Sequence, residues 1–179
     1  MTTSPETLRP ALPGLLFAAG TLLFGFGLGI VFGLNEDIIK DRLAADAAVV
    51  TTTVYQGDAA AAKAVVDKAW SYMQRAHLHA GALGTAAIAL TLVLIALGTP
   101  ARTTALLSLA LGLGSLGYAV FWLWAGFRAP GLGGTGAAKE SLSWLAMPAS
   151  GMVVAGTAAV LLLICYQLLG GRNQPLSHS

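Results

Sequence analysis

The chain has 179 residues, of which 56% are hydrophobic and only 10% charged, and its mean hydropathy is +0.73. A water-soluble domain of this length needs about a quarter charged residues to cover its surface, so these values exclude an ordinary soluble fold and indicate a membrane protein. The net charge of +2 comes from scattered basic residues. It excludes nucleic acid as a partner, because phosphate binding needs a clustered basic face.

Four segments are long and apolar enough to cross the hydrocarbon core of a bilayer, which takes roughly 20 residues of helix. They cover residues 12–34, 77–97, 103–127 and 143–169, and none of them contains Asp, Glu, Lys or Arg. Only a helix satisfies the backbone hydrogen bonds of such a segment within lipid. The sequence therefore predicts an all-α membrane protein, a single domain built as a bundle of four transmembrane helices.

The links between these spans differ in length and polarity. The polar link 35–76 holds six of the eight acidic residues. Its second half is predicted to be a helix that begins at the N-cap residue Asp58 and either continues into the second span or lies at the membrane interface. Residues 98–100 form a tight connection that makes the second and third spans antiparallel neighbours. The link 128–142, rich in glycine and containing Pro130, is predicted to be an irregular loop.

Small residues recur at four-residue intervals in the first and fourth spans. These two stripes consist of Thr21, Gly25, Gly29 and Gly33 in the first span and of Gly151, Ala155 and Ala159 in the fourth. Helices in lipid associate through close backbone approach, so such stripes mark contact faces. We interpret them as packing faces within one protomer, and contact between protomers is the alternative.

Two of the three histidines, His77 and His79, lie at the start of the second span. Side chains two positions apart on a helix point roughly 200° apart, so the two cannot bind one metal ion from one face. Gly81 and Gly84 follow His77 along the helix and would leave a flat surface for a wide planar ligand such as haem. The alternatives are that His77 binds haem or that it anchors the helix at the lipid headgroups.

Aromatic residues near the end of the third span have two possible roles. Trp122 and Trp124 are assigned to the interfacial belt, where such side chains concentrate. Tyr118 lies deeper, and its hydroxyl needs a partner on a neighbouring helix or on a substrate. The single cysteine, Cys165, can form neither a disulfide nor a cysteine metal site within one chain. The sequence contains no motif for hydrolysis or phosphoryl transfer.

Short motifs in all four spans are similar to those of a known family. They are Thr21-Leu22-Leu23-Phe24-Gly25 with Gly27 and Leu28, Trp70 followed by Arg75-Ala76-His77, Thr104-Ala105, Ser143 with Leu145-Ala146 and Pro148-Ala149, and Tyr166-Gln167 with Leu169. In order and spacing, over nearly the whole chain, they resemble the styrene oxide isomerases, which are small membrane enzymes with four helices.

This resemblance implies a specific activity. Members of the family form homotrimers, hold ferric haem b near the subunit contacts through one axial histidine, and convert an aryl epoxide to an aldehyde. The Arg-Ala-His motif gives His77 the role of iron ligand, with Gly81 and Gly84 beside the haem. The implied mechanism is opening of the epoxide by the Lewis acidity of Fe(III), followed by a hydride shift without net redox change.

The chain departs from the family at the residues that hold the substrate. The family uses an asparagine shortly after the histidine and a tyrosine in the third helix, and Leu83 and approximately Phe121 stand at these positions. Neither side chain can hydrogen-bond an epoxide oxygen. Tyr118, one turn before Phe121, is expected to replace the tyrosine as the catalytic donor. Two other functions stay open: a b-haem protein with a redox or sensing role, and a structural subunit of a membrane complex.

The resemblance implies an integral protein of the bacterial inner membrane. Lys and Arg are more frequent in the links 35–76 and 128–142 than on the opposite side, which carries Arg9, Arg102 and Arg172. Because basic residues concentrate on the cytoplasmic side, this count predicts that both termini are external.

Overall fold

A computed structural model describes residues 5–170, and within this range the chain forms helices and turns without any strand. The elements are the short helix α1 (Pro5–Leu8), a 3-10 turn (Arg9–Ala11), α2 (Leu12–Val49), α3 (Ala59–Ala96), α4 (Ala101–Arg128), the short helix α5 (Thr135–Glu140) and α6 (Ser143–Gly170). The four long helices are each long and apolar enough to cross a membrane. The predicted all-α architecture with four spans is confirmed.

The helix α4 contacts each of the other three long helices and is the centre of the bundle. Glycines on different sides of α4 make these contacts close: Gly112 faces α2, Gly114 faces α6 and Gly126 faces α3. A Cβ atom added at Gly114 would lie 2.8 Å from the Ala149 carbonyl oxygen, and one added at Gly126 would lie 2.9 Å from the Ala69 carbonyl oxygen. No side chain fits at such distances, so the glycines set how near the helices lie.

The helices α2 and α3 are longer than a bilayer is thick. Each has 38 residues. At 1.5 Å per residue this is about 57 Å, against ~30 Å of hydrocarbon. The parts of α2 and α3 that exceed this thickness form an antiparallel pair, which is joined by the turn at residues 50–58. We call this pair the projecting hairpin (36–75). The hairpin lies at the same end of the bundle as α5, and Arg9 and Arg102 lie at the other end. Arg172 lies outside the described residues.

The first half of the polar link is helical, which the sequence analysis did not predict. The helix α2 has a kink at Asn35 (φ −132°, ψ 26°), whose side-chain amide donates to the Val31 carbonyl at 3.3 Å, and it then continues to Val49. Its buried side chains, among them Leu43 and Ala47, pack toward α3. The segment is polar because its other faces carry charged residues, and polarity alone does not end a helix.

The second half of the link agrees with the prediction. Asp58 caps α3, since its carboxylate accepts a hydrogen bond from the Ala61 amide at 2.9 Å. From Ala59 the helix runs without a break into the second span. Of the two alternatives, continuation into the membrane is therefore the correct one.

The turn of the projecting hairpin is fixed to the end of α4. The Tyr55 hydroxyl donates a hydrogen bond to the Pro130 carbonyl oxygen at 2.6 Å, and Val54 packs on Gly133, whose φ of +75° favours glycine. The link 128–142 is less irregular than predicted, because it contains α5.

The two small-residue stripes differ in what they contact. In α2, Thr21 is fully buried and a Cβ added at Gly25 would lie 2.9 Å from the Ala80 Cβ, so this stripe packs against α3. In α6, Gly151 and Ala155 are exposed. The interpretation as intraprotomer packing is correct for Thr21, Gly25 and Gly29. It is wrong for the exposed residues Gly33, Gly151 and Ala155, since an added Cβ at Gly33 or Gly151 meets nothing within 4 Å and α6 approaches α4 through other small residues.

Gly112→Leu is expected to destabilise the bundle by about 1–3 kcal/mol, because its side chain would overlap the backbone of α2 near Gly14. Gly151→Leu is the matched control, since an added Cβ there meets nothing within 4 Å. Circular dichroism during unfolding by SDS in mixed micelles measures both. Equal stability of the two variants would contradict the close packing of α4 on α2.

Candidate functional site

His77 and His79 lie on opposite sides of α3, as their spacing predicts. His77 contacts α2. The centroid of the His79 ring lies 5.2 Å from that of Tyr118 and 5.7 Å from that of Trp122, and both of these residues are on α4. The two imidazoles therefore cannot bind the same metal ion within one protomer.

One ring nitrogen of His77 is bonded to the backbone of α2. Its Nδ1 atom lies 2.8 Å from the Gly25 carbonyl oxygen. Since a carbonyl oxygen only accepts, Nδ1 carries the hydrogen of this bond, and Nε2 is the nitrogen left to offer a lone pair. Histidines that bind metals commonly donate their second N–H to such a group, which fixes the orientation of the ring. His77 thus has the tautomer that a ligand needs to bind iron through Nε2.

Gly29 makes room for the His77 ring. A Cβ added at Gly29 would lie 2.8 Å from Cε1 and 3.2 Å from Nδ1 of this ring. A larger residue would push the imidazole away from the Gly25 carbonyl. The sequence indicates Gly25 and Gly29 as packing residues only, because their four-residue spacing gives no sign that they position the histidine.

A groove of about 400 Å³ opens beside His77 between α2 and α3. Its lining is mostly small or apolar and comprises Gly29, Phe32, Gly33, Glu36, Trp70, Gln74, His77 and Leu78. The rings of Phe32 and Trp70 meet edge to face, with centroids 5.1 Å apart, and form one wall. The groove therefore combines an imidazole ligand with apolar and glycine surfaces against which a planar group can lie.

These residues fit haem better than a bare metal ion. A haem iron needs a single axial ligand from the protein and can keep its other axial position open. Among residues 5–170, no group of three or more His, Cys, Asp or Glu side chains could hold a metal ion by itself. The Nε2 atom of His77 could serve as the single protein ligand of such an iron, because haem brings its own equatorial ligands.

The two glycines predicted to lie beside haem have different surroundings. A Cβ added at Gly81 would meet nothing within 4 Å, so this residue leaves open space. Gly84 is buried, and its added Cβ would lie 3.0 Å from the Leu22 Cγ and 3.1 Å from the Ala18 carbonyl oxygen. Because α2 covers Gly84, the expectation that it contacts haem is not met within the protomer.

Tyr118 belongs to an aromatic cluster on the other side of α3. Its ring centroid lies 5.9 Å from that of Phe121 and 6.1 Å from that of Trp122, in addition to the contact with His79. No hydrogen bond of its hydroxyl is found within the described range. Tyr118 and His77 are therefore not brought together in one protomer.

Leu83 and Phe121 occupy the positions of the family's asparagine and tyrosine, and neither offers a donor in the structure. Phe121 is only 4% exposed and packs in the core between α3 and α4. Leu83 contributes only its backbone carbonyl, which accepts a hydrogen bond from Ser115 at 3.3 Å. Leu83 and Phe121 thus supply no donor beside His77, and the side-chain amide that lines its groove belongs to Gln74.

A second groove, of about 440 Å³, lies between the two arms of the projecting hairpin. Alanines make up much of its lining, and three of its charged side chains are in ion pairs: Lys40 with Glu36 outside the groove, and Lys63 with Asp67. It offers no histidine, cysteine or unpaired cation next to an apolar surface. We therefore place the candidate site at His77.

No protein-family model, no curated protein and no solved structure matches this chain. The geometry of the site therefore has to carry the functional argument.

Gly29→Leu is expected to displace the His77 ring and to abolish the tautomer with hydrogen on Nδ1, because the new side chain would occupy the position of Cε1. Gly33→Leu, one turn further, is the control, since an added Cβ there meets nothing within 4 Å. Nitrogen NMR of protein with labelled histidine distinguishes the tautomers. An unchanged His77 signal in Gly29→Leu would contradict this arrangement.

Proposed function

We propose that the protein binds haem b through Nε2 of His77 and isomerises an aryl epoxide to an aldehyde in the membrane. The observation that carries the proposal is the hydrogen bond from Nδ1 of His77 to the Gly25 carbonyl oxygen, which leaves Nε2 free beside the groove. The resemblance of the Arg75-Ala76-His77 motif to that of the styrene oxide isomerases supports the same assignment.

The groove supports binding of haem between protomers of a homotrimer. It is formed by α2 and α3 alone, and several of its lining residues, among them Gly33, Gln74 and Leu78, are exposed in the protomer. A second protomer would cover this open side and would exclude lipid and water from the cofactor. The exposed small residues Gly151 and Ala155 of α6 are a further surface on which helices of two protomers could approach closely.

The residues around His77 suit an isomerisation. A ferric haem would supply a Lewis-acidic centre that weakens the carbon–oxygen bond of an epoxide. Nε2 of His77 would hold the iron, and the open groove beside it would admit the substrate. Phe32 and Trp70 provide aromatic faces that stabilise a developing benzylic cation. Epoxide and aldehyde have the same composition and oxidation level, so no electron donor or acceptor is required.

Two alternative functions follow from particular residues. Leu83 and Phe121 lack the donors that hold the epoxide in the family, which favours a b-haem protein with a redox or sensing role. The exposed face of α6 favours a structural subunit of a membrane complex. All three functions place the chain in a lipid bilayer. The resemblance suggests the bacterial inner membrane, and the distribution of Lys and Arg suggests external termini.

The protein is expected to purify with haem b, and His77→Ala to lose the Soret band, because the variant lacks the nitrogen that binds iron. His79→Ala is the control and should keep the band, since His79 is packed against Tyr118 and Trp122. The haem-loaded form should have the mass of a trimer in detergent. If His79→Ala loses the haem and His77→Ala keeps it, the ligand assignment is wrong.

Haem-loaded ferric protein is expected to convert styrene oxide to phenylacetaldehyde. Tyr118→Phe should slow turnover by about 10²- to 10³-fold with little change in the haem spectrum, if the hydroxyl supplies the donor to the epoxide from a second protomer. Gas chromatography of the product and absorption spectra measure both effects. Unchanged turnover in Tyr118→Phe would mean that Tyr118 only packs in the aromatic cluster and does not donate to the epoxide. Absence of product, with both axial iron positions filled, would favour the redox or sensing role.

A further inference from the structure

The tryptophans of this chain mark one membrane boundary. All four, Trp70, Trp122, Trp124 and Trp144, lie near the end of the bundle that carries the projecting hairpin. Trp124 of α4 and Trp144 of α6 are both exposed, and their rings meet edge to face with centroids 6.2 Å apart. Tryptophan concentrates where hydrocarbon meets the lipid headgroups. The headgroups of one leaflet are therefore expected at the level of these rings.

Polar side chains of α3 form a line that crosses this level. Lys68, Tyr72, Arg75 and His79 follow one another at intervals of four, three and four residues, which places them on one side of the helix. Lys68 and Arg75 are exposed, whereas Tyr72 is 97% buried, with 3% of its surface accessible. The line faces away from the groove of His77 and toward α4 and α5.

The Arg75 guanidinium is held by aromatic rings and has no carboxylate partner. Its central carbon lies 5.2 Å from the centroid of the Tyr72 ring and 5.2 Å from that of Trp122. The ion pairs within residues 5–170 join Lys40 to Glu36, Arg42 to Asp46 and Lys63 to Asp67. Arg75 is thus an exposed, oriented cation at the level of the tryptophan rings, and no ion pair within residues 5–170 neutralises its charge.

A third cation comes from α5. Lys139 is exposed. Burial raises the pKa of the Tyr72 hydroxyl, but Thr135 and the positive charges of Lys139 and Lys68 outweigh it and lower this pKa. Glu140, the neighbour of Lys139, forms no ion pair within the described part of the chain. Arg75 therefore contacts the buried Tyr72 ring, and Lys68 and Lys139 add positive charge on the same side of α3, with no ion pair of these cations among residues 5–170.

We propose that Lys68, Tyr72, Arg75 and Lys139 form a binding site for the phosphate group of an anionic phospholipid. The planar guanidinium donates two parallel hydrogen bonds to phosphate oxygens, and the lysines add point charges. The level of the tryptophan rings favours a lipid headgroup over free phosphate as the source of this group. The site is independent of haem, because it lies on the opposite side of α3 from His77.

The test uses full-length protein in a neutral detergent with equal amounts of phosphatidylglycerol and phosphatidylcholine, and native mass spectrometry counts the lipids retained. The wild type is expected to retain phosphatidylglycerol preferentially. Arg75→Gln should lower this preference about fivefold, the effect of losing roughly 1 kcal/mol per basic residue near a charged membrane surface. The variant that combines Lys68→Gln, Arg75→Gln and Lys139→Gln should lower the preference for phosphatidylglycerol further.

The matched control replaces the three ion-paired cations, Lys40→Gln, Arg42→Gln and Lys63→Gln, and so removes the same charge from the same end of the protein. It should keep the preference. An equal loss in this control, or no preference in the wild type, would overturn the proposal. Displacement of the lipid by millimolar inorganic phosphate would also overturn it and assign the site to free phosphate. The wild-type measurement remains decisive if a variant fails to fold.

Discussion

Close approach of helices at glycine is the interaction on which the rest of this structure depends. Lipid surrounds the bundle, so burial of apolar surface between helices gains little, and dispersion contacts between nearby backbones hold the helices together. The helix α4 uses this interaction in three directions, with Gly112 against α2, Gly114 against α6 and Gly126 against α3. A side chain at any of these residues would separate two helices and would change every contact beyond them.

The same interaction creates the candidate site. Because Gly25 and Gly29 have no side chains, α3 lies near enough to α2 for an imidazole of one helix to reach a carbonyl oxygen of the other. The position of His77 is therefore a consequence of helix packing and needs no loop. An imidazole held in this way between two packed helices is rigid, which suits the role of cofactor ligand that we propose for it.

The two sides of α3 have separate roles at the level of the membrane boundary. One side carries His77 toward α2 and the groove, and the other carries Arg75 and His79 toward the aromatic residues of α4. Chemistry proposed for the first side thus occurs away from the cationic surface on the second. The projecting hairpin extends α3 beyond this boundary. The hydrogen bond from Tyr55 to Pro130 fixes the turn of the hairpin to the end of α4.

The sequence by itself determined the four spans, the antiparallel pairing of α3 with α4, the cap at Asp58 and the opposite directions of His77 and His79. Each of these follows from local hydropathy, capping or helical periodicity. Only the tertiary structure decided that 35–49 is helical, that α2 covers Gly84 and that Gly151 faces outward, because these depend on which helix lies opposite. The tautomer of His77 also required a partner 52 positions away in the chain, Gly25, which periodicity within one helix cannot reveal.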